Sequence, residues 1–352
     1  MRCAAWLLVL AACKLDTSGI PGDESSETSG GTSGGSATTA ATTMPTTTAP
    51  TSGATEDATS MPTGDDATMG SDPTTDATNS GTDDSTDGGE LGPFGDPVPV
   101  EELNTDAIED DVTLRSDMLE VFFSRSNVGD PGSEDIFRAT RASVDEAFDD
   151  IQRVDELSLD FSADASPELS RDGLVISFSG SWPGTPGGND VMIATRDDFD
   201  APWSEPMRID ELTSNVDDAS LVMTEDQLVG YTCRDFLGAQ YWELMRTTRG
   251  AKGGVWDEPV PLDGLNADGR DCAPWVNDDD TELWFTTVRP GGVGAEDIWR
   301  VEIVDGGFGE PVPVMELDTP QADEDPWLSP DGHTIVFASN RDGDYDIWMA
   351  TR

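Results

Sequence analysis

Residues Asp325–Arg352 read DPWLSPDGHTIVFASNRDGDYDIWMATR, and this stretch decides the fold. It contains a short strand, a polar turn, an apolar β-rich strand and a further strand, DIWMATR. The turn Ser329-Pro330-Asp331-Gly332 has Pro and Gly where a tight hairpin wants them.

Working outward, the same unit recurs. Its relatives are SPELSRDGLVISF (Ser166–Phe178), APWVNDDDTELWF (Ala273–Phe285) and, more worn, ASLVMTEDQLVGY (Ala219–Tyr231) and DVTLRSDMLEVFF (Asp111–Phe123). A third strand follows each one: DIFRATR, DVMIATR, ELMRTTR, DIWRVEI and DIWMATR. Each unit opens on an aromatic anchor, Phe94, Phe148, Trp203, Trp256 or Phe308, spaced 54, 55, 53 and 52 residues apart. Nine residues after each anchor stands a leucine: Leu103, Leu157, Leu212, Leu265 and Leu317. A period of this length marks a repeat architecture.

The anchor segment supplies a fourth strand, as in FGDPVPV (Phe94–Val100) and WDEPVPL (Trp256–Leu262). Proline cannot donate to a ladder, so this strand must be outermost. Four antiparallel strands with a Pro-bearing edge describe a propeller blade. The expectation is all-β: a five-bladed propeller over residues 93–352. The folded part begins with an outer strand and ends with a third strand. Phe94–Val100 should therefore dock beside Asp346–Arg352 and close the ring. An open solenoid is the alternative, but it would need polar caps that the sequence lacks.

The SPDG…IVFASNRDG…DIW pattern resembles the WD40-like β-propeller repeats of the TolB-like class, over Phe94–Arg352. The resemblance implies a propeller of the cell envelope, with a periplasmic assembly or structural role as one functional option.

The remainder of the chain differs in composition. Of 352 residues, 72 are Asp or Glu and 19 are Lys or Arg, a formal net charge of −53. That field repels phosphate backbones and anionic lipid surfaces, so no nucleic-acid partner is expected. Residues 1–12 (MRCAAWLLVLAA) read as a signal peptide. Leu10-Ala11-Ala12-Cys13 resembles the bacterial lipobox, which implies a lipid on Cys13; an ordinary secretory signal is the alternative. Lys14 after the cysteine favours the outer membrane, by resemblance to the enterobacterial sorting rule. Residues 13–92 are a Thr/Ser/Gly/Asp-rich disordered linker, too poor in large apolar groups to offset ordering entropy. As a flexible coil it would span about 50 Å. Membrane attachment is thus expected only through the lipid on Cys13, and the propeller is expected to be a monomer.

Two acidic columns run through the repeats. One precedes the first strand: Glu109, Asp164, Asp217, Asp271 and Asp323. If these ring the channel mouth, they would repel one another unless protonated, paired with Arg or bound to a cation, for which Ca²⁺ is the hard-ligand candidate. The alternative is that each accepts N–H bonds within its own blade. Repetition in every blade favours that alternative, because a site usually breaks symmetry. The second column opens the third strand: Asp135, Asp190, Glu243, Asp297 and Asp346. It reads as structural.

Trp275, Trp284, Trp299, Trp327 and Trp348 read as packing between blades. Trp182, in the individual loop Ser179–Asp190, is the candidate ligand-facing aromatic. Cys233 and Cys272 fall on one face of neighbouring blades, and an exported protein permits a disulfide; two free thiols are the alternative. The single histidine, His333, follows a turn, so no Ser–His–Asp set can form.

No catalytic residue is assigned. The leading functional expectation is a non-catalytic envelope module that binds protein or glycan. A glycoside hydrolase using Asp164, Asp217 and Asp271 is the enzymatic alternative.

Overall fold

In a computed structural model, residues 91–126, 134–184, 186–236 and 241–352 are described. The expected signal peptide, Cys13 and nearly all of the linker lie outside these residues. The chain divides into two units, Met1–Thr82 and Asp83–Arg352, and the strands of the described residues lie in the second.

The described residues contain strands and no helix. They form five antiparallel sheets, each a blade. Blade 1 is built from Ile108–Leu114, Glu120–Ser126, Asp135–Thr140 and Asp149–Arg153. Blade 2 comprises Asp164–Leu169, Val175–Gly180, Asp190–Thr195 and Met207–Arg208. Blade 3 comprises Asp218–Met223, Val229–Asp235, Trp242–Thr248 and Val260–Pro261. Blade 4 comprises Asp271–Val276, Glu282–Thr287, Asp297–Val304 and Val312–Pro313, with a small Gly307–Phe308 hairpin arm. Blade 5 takes Asp323–Leu328, Thr334–Ser339 and Asp346–Thr351 from the C-terminus and Val98–Pro99 from the N-terminus.

That last pairing closes the ring, with Val98 opposite Met349 and Pro99 opposite Trp348. The Gly95 N–H donates to the Thr351 carbonyl at 2.8 Å and the Val100 N–H to the Ile347 carbonyl at 2.9 Å.

The repeat residues explain the blade. The five leucines are 0–2% exposed. Four of the anchors lie beneath an arginine that ends the third strand. Arg141 sits 4.3 Å above Phe148, Arg196 4.5 Å above Trp203, Arg249 4.1 Å above Trp256 and Arg352 4.3 Å above Phe94. Each of these arginines also donates its Nε–H to a carbonyl of the first hairpin turn, of Met118, Gly173, Gln227 and Gly332. The anchor is therefore held by stacking while the guanidinium satisfies a turn. Blade 4 has Ile303 in place of the arginine, packed with Phe308 at the edge of its cluster.

Every inner strand carries a bulge, between Asp110 and Thr113, Ala165 and Glu168, Ala219 and Val222, Cys272 and Trp275, and Glu324 and Trp327. In four of them a non-glycine residue takes a left-handed φ: Asp111 (50°), Ser166 (51°), Ala273 (49°) and Asp325 (57°). Bulges re-aim side chains, here toward the axis. They also explain how Pro167, Pro274 and Pro326 occupy inner strands, since a bulge releases a residue from the ladder.

The outer rim is thin. Four outer strands have two residues each. Val98, Met207, Val260 and Val312 on them are 44–68% exposed.

Candidate functional site: a carboxylate-lined axial well

The bulges and the loops after the second strands surround an axial cavity of about 470 Å³. Its lining carries eight carboxylates, Asp110, Asp111, Glu134, Glu168, Asp217, Asp235, Glu324 and Asp325, and one cation, Arg270. Arg270 pairs with Glu296 at 3.0 Å and Glu324 at 3.2 Å. Burial disfavours its charge, but Glu324, Asp325 and Glu296 outweigh burial and hold its pKa above the ordinary value.

One arginine cannot balance this lining, and six of its acids, Asp110, Asp111, Glu134, Glu168, Glu324 and Asp325, are pushed toward holding protons. Burial, then Asp111 and Glu134, push Asp110 well up. Burial, then Asp111 and Asp164, push Glu134 up to about 8. Glu168 and Asp325 are raised well above their usual range, by burial first and Asp111 second. Asp111 is raised by burial, against the bonds it receives from Ser166 N (3.0 Å) and Ser124 Oγ (3.2 Å). These groups titrate as a set.

Oxygens from Asp110, Asp111 and Glu134 lie within 4.8 Å of one another. Asp110 Oδ1 is shielded from solvent and accepts no hydrogen bond. Three close carboxylates form a donor set for a hard cation.

Glu134, Asn189, Asp235 and Tyr345 place the well toward the face carrying the loops after the second strands. On the other face, Arg171 leaves the first turn of blade 2 and crosses to blade 4. It donates to the Val276 carbonyl, pairs with Asp278 at 2.7 Å and lies 4.7 Å above the Trp275 ring.

Four of the five acids of the first column lie elsewhere than at a channel mouth. Glu109, Asp164, Asp271 and Asp323 are 0% exposed and turn into their own blades. Glu109 accepts from Thr105 N at 3.1 Å, Asp164 from Leu159 N at 2.7 Å, Asp271 from Ala267 N at 2.7 Å and Asp323 from Thr319 N at 2.7 Å. In blade 3 the equivalent residue is Asp218, bonded to Ser214 N at 2.7 Å, while Asp217 reaches the well. An arginine then clamps four of these acids: Arg125 to Glu109 (2.7 Å), Arg234 to Asp218 (2.5 Å), Arg289 to Asp271 (2.7 Å) and Arg341 to Asp323 (2.5 Å). The same guanidinium groups donate to the carbonyls of Leu103, Leu212, Leu265 and Leu317. The repeat leucine, acid and arginine thus form one intra-blade staple.

Blade 2 fills the arginine's place with Trp182, whose Nε1–H donates to Asp164 Oδ1 at 2.6 Å. Its ring packs on Phe178, with centroids 6.1 Å apart. Trp182 is therefore half-buried in blade 2 and does not stand out as a ligand platform.

Of the second column, Asp135 pairs with Arg153 at 2.9 Å. Both oxygens of Asp297 accept from Gly294 N, at 2.9 and 3.2 Å. Asp190 is fully buried, Glu243 is half-buried, and Asp346 is raised to about 6 by burial and then by Asp344. Cys233 and Cys272 join blades 3 and 4 in a disulfide, with Cα atoms 5.3 Å apart.

Sequence reasoning missed Asp110, Asp111, Glu134, Glu168, Glu324 and Asp325. A signal existed. Only blades 1 and 5 follow the column acid with two more acids, Glu109-Asp110-Asp111 and Asp323-Glu324-Asp325, where blades 2 to 4 have Ala165-Ser166, Ala219-Ser220 and Cys272-Ala273. That break in symmetry lies at the seam where the ring closes.

No protein-family model and no curated relative matches the sequence. Solved structures are similar in fold. A TolB candidate from Agrobacterium tumefaciens is 17% identical, with 69% of this chain and 76% of that one covered and a TM-score of 0.45. TolB from Acinetobacter baumannii is 15% identical over 69% of this chain, which spans about half (55%) of that protein, with a TM-score of 0.42. An α-L-arabinofuranosidase from Lactobacillus brevis is 14% identical, with 70% of this chain and 90% of that one covered and a TM-score of 0.48.

Proposed function

We propose that this chain is a lipid-anchored protein of the bacterial cell envelope whose propeller binds a protein or glycan partner without catalysis. The observation that carries the reading is the axial well, with eight carboxylates against one arginine. Its carboxylates, which ionise where a cation displaces their protons, suit a cationic group such as a Lys- or Arg-bearing segment of a partner protein. Arg171 across the far mouth leaves approach from the loop face. The lipid on Cys13 and the acidic linker would let the propeller reach partners at a distance from the membrane.

Titrating the mature chain with a Lys/Arg-rich peptide tests this. Saturable binding is expected, weakened by salt and by the Asp111→Asn/Glu134→Gln pair, and unchanged by neutralising exposed Glu205 on the rim. No binding, or equal loss from the rim variant, overturns the reading.

A second reading, glycoside hydrolysis, is favoured by one observation: Glu134, raised to about 8, is a protonated acid beside other carboxylates. Of the three acids expected from the sequence for this chemistry, Asp164 and Asp271 are tied into staples and Asp217 lines the well, so Glu134 would serve with Asp111 or Asp217. Turnover of α- or β-linked oligosaccharides that is lost in Glu134→Gln would establish it.

A further inference from the structure

In three repeats the residue after the leucine bonds the third strand of the preceding blade, while Thr213 donates instead to the Ile209 carbonyl at 3.1 Å. Asn104 Nδ2 donates to the Ile347 carbonyl at 3.0 Å, and its Oδ1 accepts from Ile347 N at 2.8 Å. Asn266 does the same with Leu244, at 3.0 and 2.8 Å. Ser158 accepts from Ile136 N at 2.9 Å. The carboxamide behaves as one more strand residue, a donor and an acceptor side by side. Leu244 and Ile347 stand opposite Cys233 and Ala338, and Ile298 stands opposite Thr286 in the same register of blade 4. Its partner position, after Leu317, is held by Asp318.

An ionised carboxylate has no donor for a strand carbonyl. Both Asp318 oxygens are shielded from solvent and have no hydrogen-bond partner. The charges around it are unfavourable. Asp297 faces it from the third strand of blade 4, Asp323 from the inner strand of blade 5 and Glu316 from its own connection. The single facing cation, Arg341, is committed to Asp323 at 2.5 Å.

We propose that Asp318, with neither oxygen partnered, is carried as the neutral acid at the position that Asn104 and Asn266 fill in other blades, and that its ionisation loosens the seam between blades 4 and 5. A carboxylic acid offers the one donor and one acceptor that Asn104 and Asn266 use. Loss of its proton to solvent leaves a charge that no hydrogen bond meets, beside Asp297. Asp297 in turn holds Gly294, and the Ala295 N–H reaches the Gln321 carbonyl at 3.2 Å. The device would thus act on the 288–296 loop of the well's open face. Burial, then Asp297, Asp323 and Glu316, push Asp318 up to about 8, in accord with a neutral form at physiological pH.

A folded-state pKa above the unfolded value of 3.8 means that the proton's contribution is fully present below about pH 4. It is lost as pH rises through about 8. Thermal melting of the full chain and of Asp318→Asn between pH 5 and pH 9.5 tests this. The variant should melt close to the native chain at pH 5 and above it at pH 9, by a few degrees. Parallel profiles, or a variant that melts lower throughout, overturn the proposal. A carbonyl-carbon NMR titration of the native chain decides independently of the variant's folding: an Asp318 midpoint near 8 supports it, and one below 5 overturns it.

Discussion

The guanidinium of Arg352 lies 4.3 Å above the ring of Phe94, so the last residue of the chain covers the first aromatic of the propeller. Three other blades make this contact within one continuous segment. Here it joins two ends separated by the whole ring. Phe94→Ala removes both the stacking and a buried ring, which should cost about 3–5 kcal/mol. Chemical denaturation of the full chain measures it. A loss comparable to a surface substitution would show that the clasp does not close the ring.

The staples allow a contrast between blades. Arg341→Leu leaves the fully buried Asp323 without its cation and should destabilise by about 3–5 kcal/mol. Trp182→Phe keeps the ring and removes one hydrogen bond to Asp164, for about 1–3 kcal/mol. Equal losses would mean that the arginine is not neutralising a buried charge.

The well should respond to pH in one direction. Glu134 has a folded pKa of about 8, above its ordinary 4.5. The folded state therefore holds the extra proton between those values, and stability falls as pH rises through them. Glu134→Gln should flatten this part of the profile. Melting scans from pH 4.5 to pH 9 check it, and an unchanged slope refutes it.

A divalent cation should compete with those protons. Adding Ca²⁺ at pH 7 is expected to raise the melting temperature of the native chain and release protons. Asp111→Asn should lose both effects. Calorimetry in two buffers of different ionisation enthalpy reads the proton release directly.

The Cys233–Cys272 bond closes a separation of 39 residues. By loop entropy it is worth about 4 kcal/mol. Reduction should lower the denaturation midpoint accordingly, and Cys233→Ser should make the chain indifferent to reductant.

Much of this fold is legible in the chain because its determinants recur at fixed spacing. The aromatic anchors, the leucines and the SPDG turn fix the blade, and the orphaned first strand foretells the clasp. The axial site is less legible for a physical reason. Strand alternation tells which side chains share a face only while the ladder is regular. Every inner strand here bulges two residues after its column acid, and the bulge changes the phase. Glu109 consequently faces its blade while Asp111 faces the axis. Nor does spacing alone reveal that Arg125 or Arg341 lies beside an acid 16 or 18 residues earlier. Asp217 and Asp218 are adjacent acids, and only the backbone shows that the second one is the staple.

The narrow rim also limits how copies of this molecule can meet. A neighbour adding a strand to a sheet needs a row of free N–H and C=O groups. Four of the five perimeter segments offer two residues, and in three of those one is a proline, Pro99, Pro261 or Pro313. Many such discs crowded together therefore have little to polymerise through side by side, and recognition is left to the flat ends of the disc.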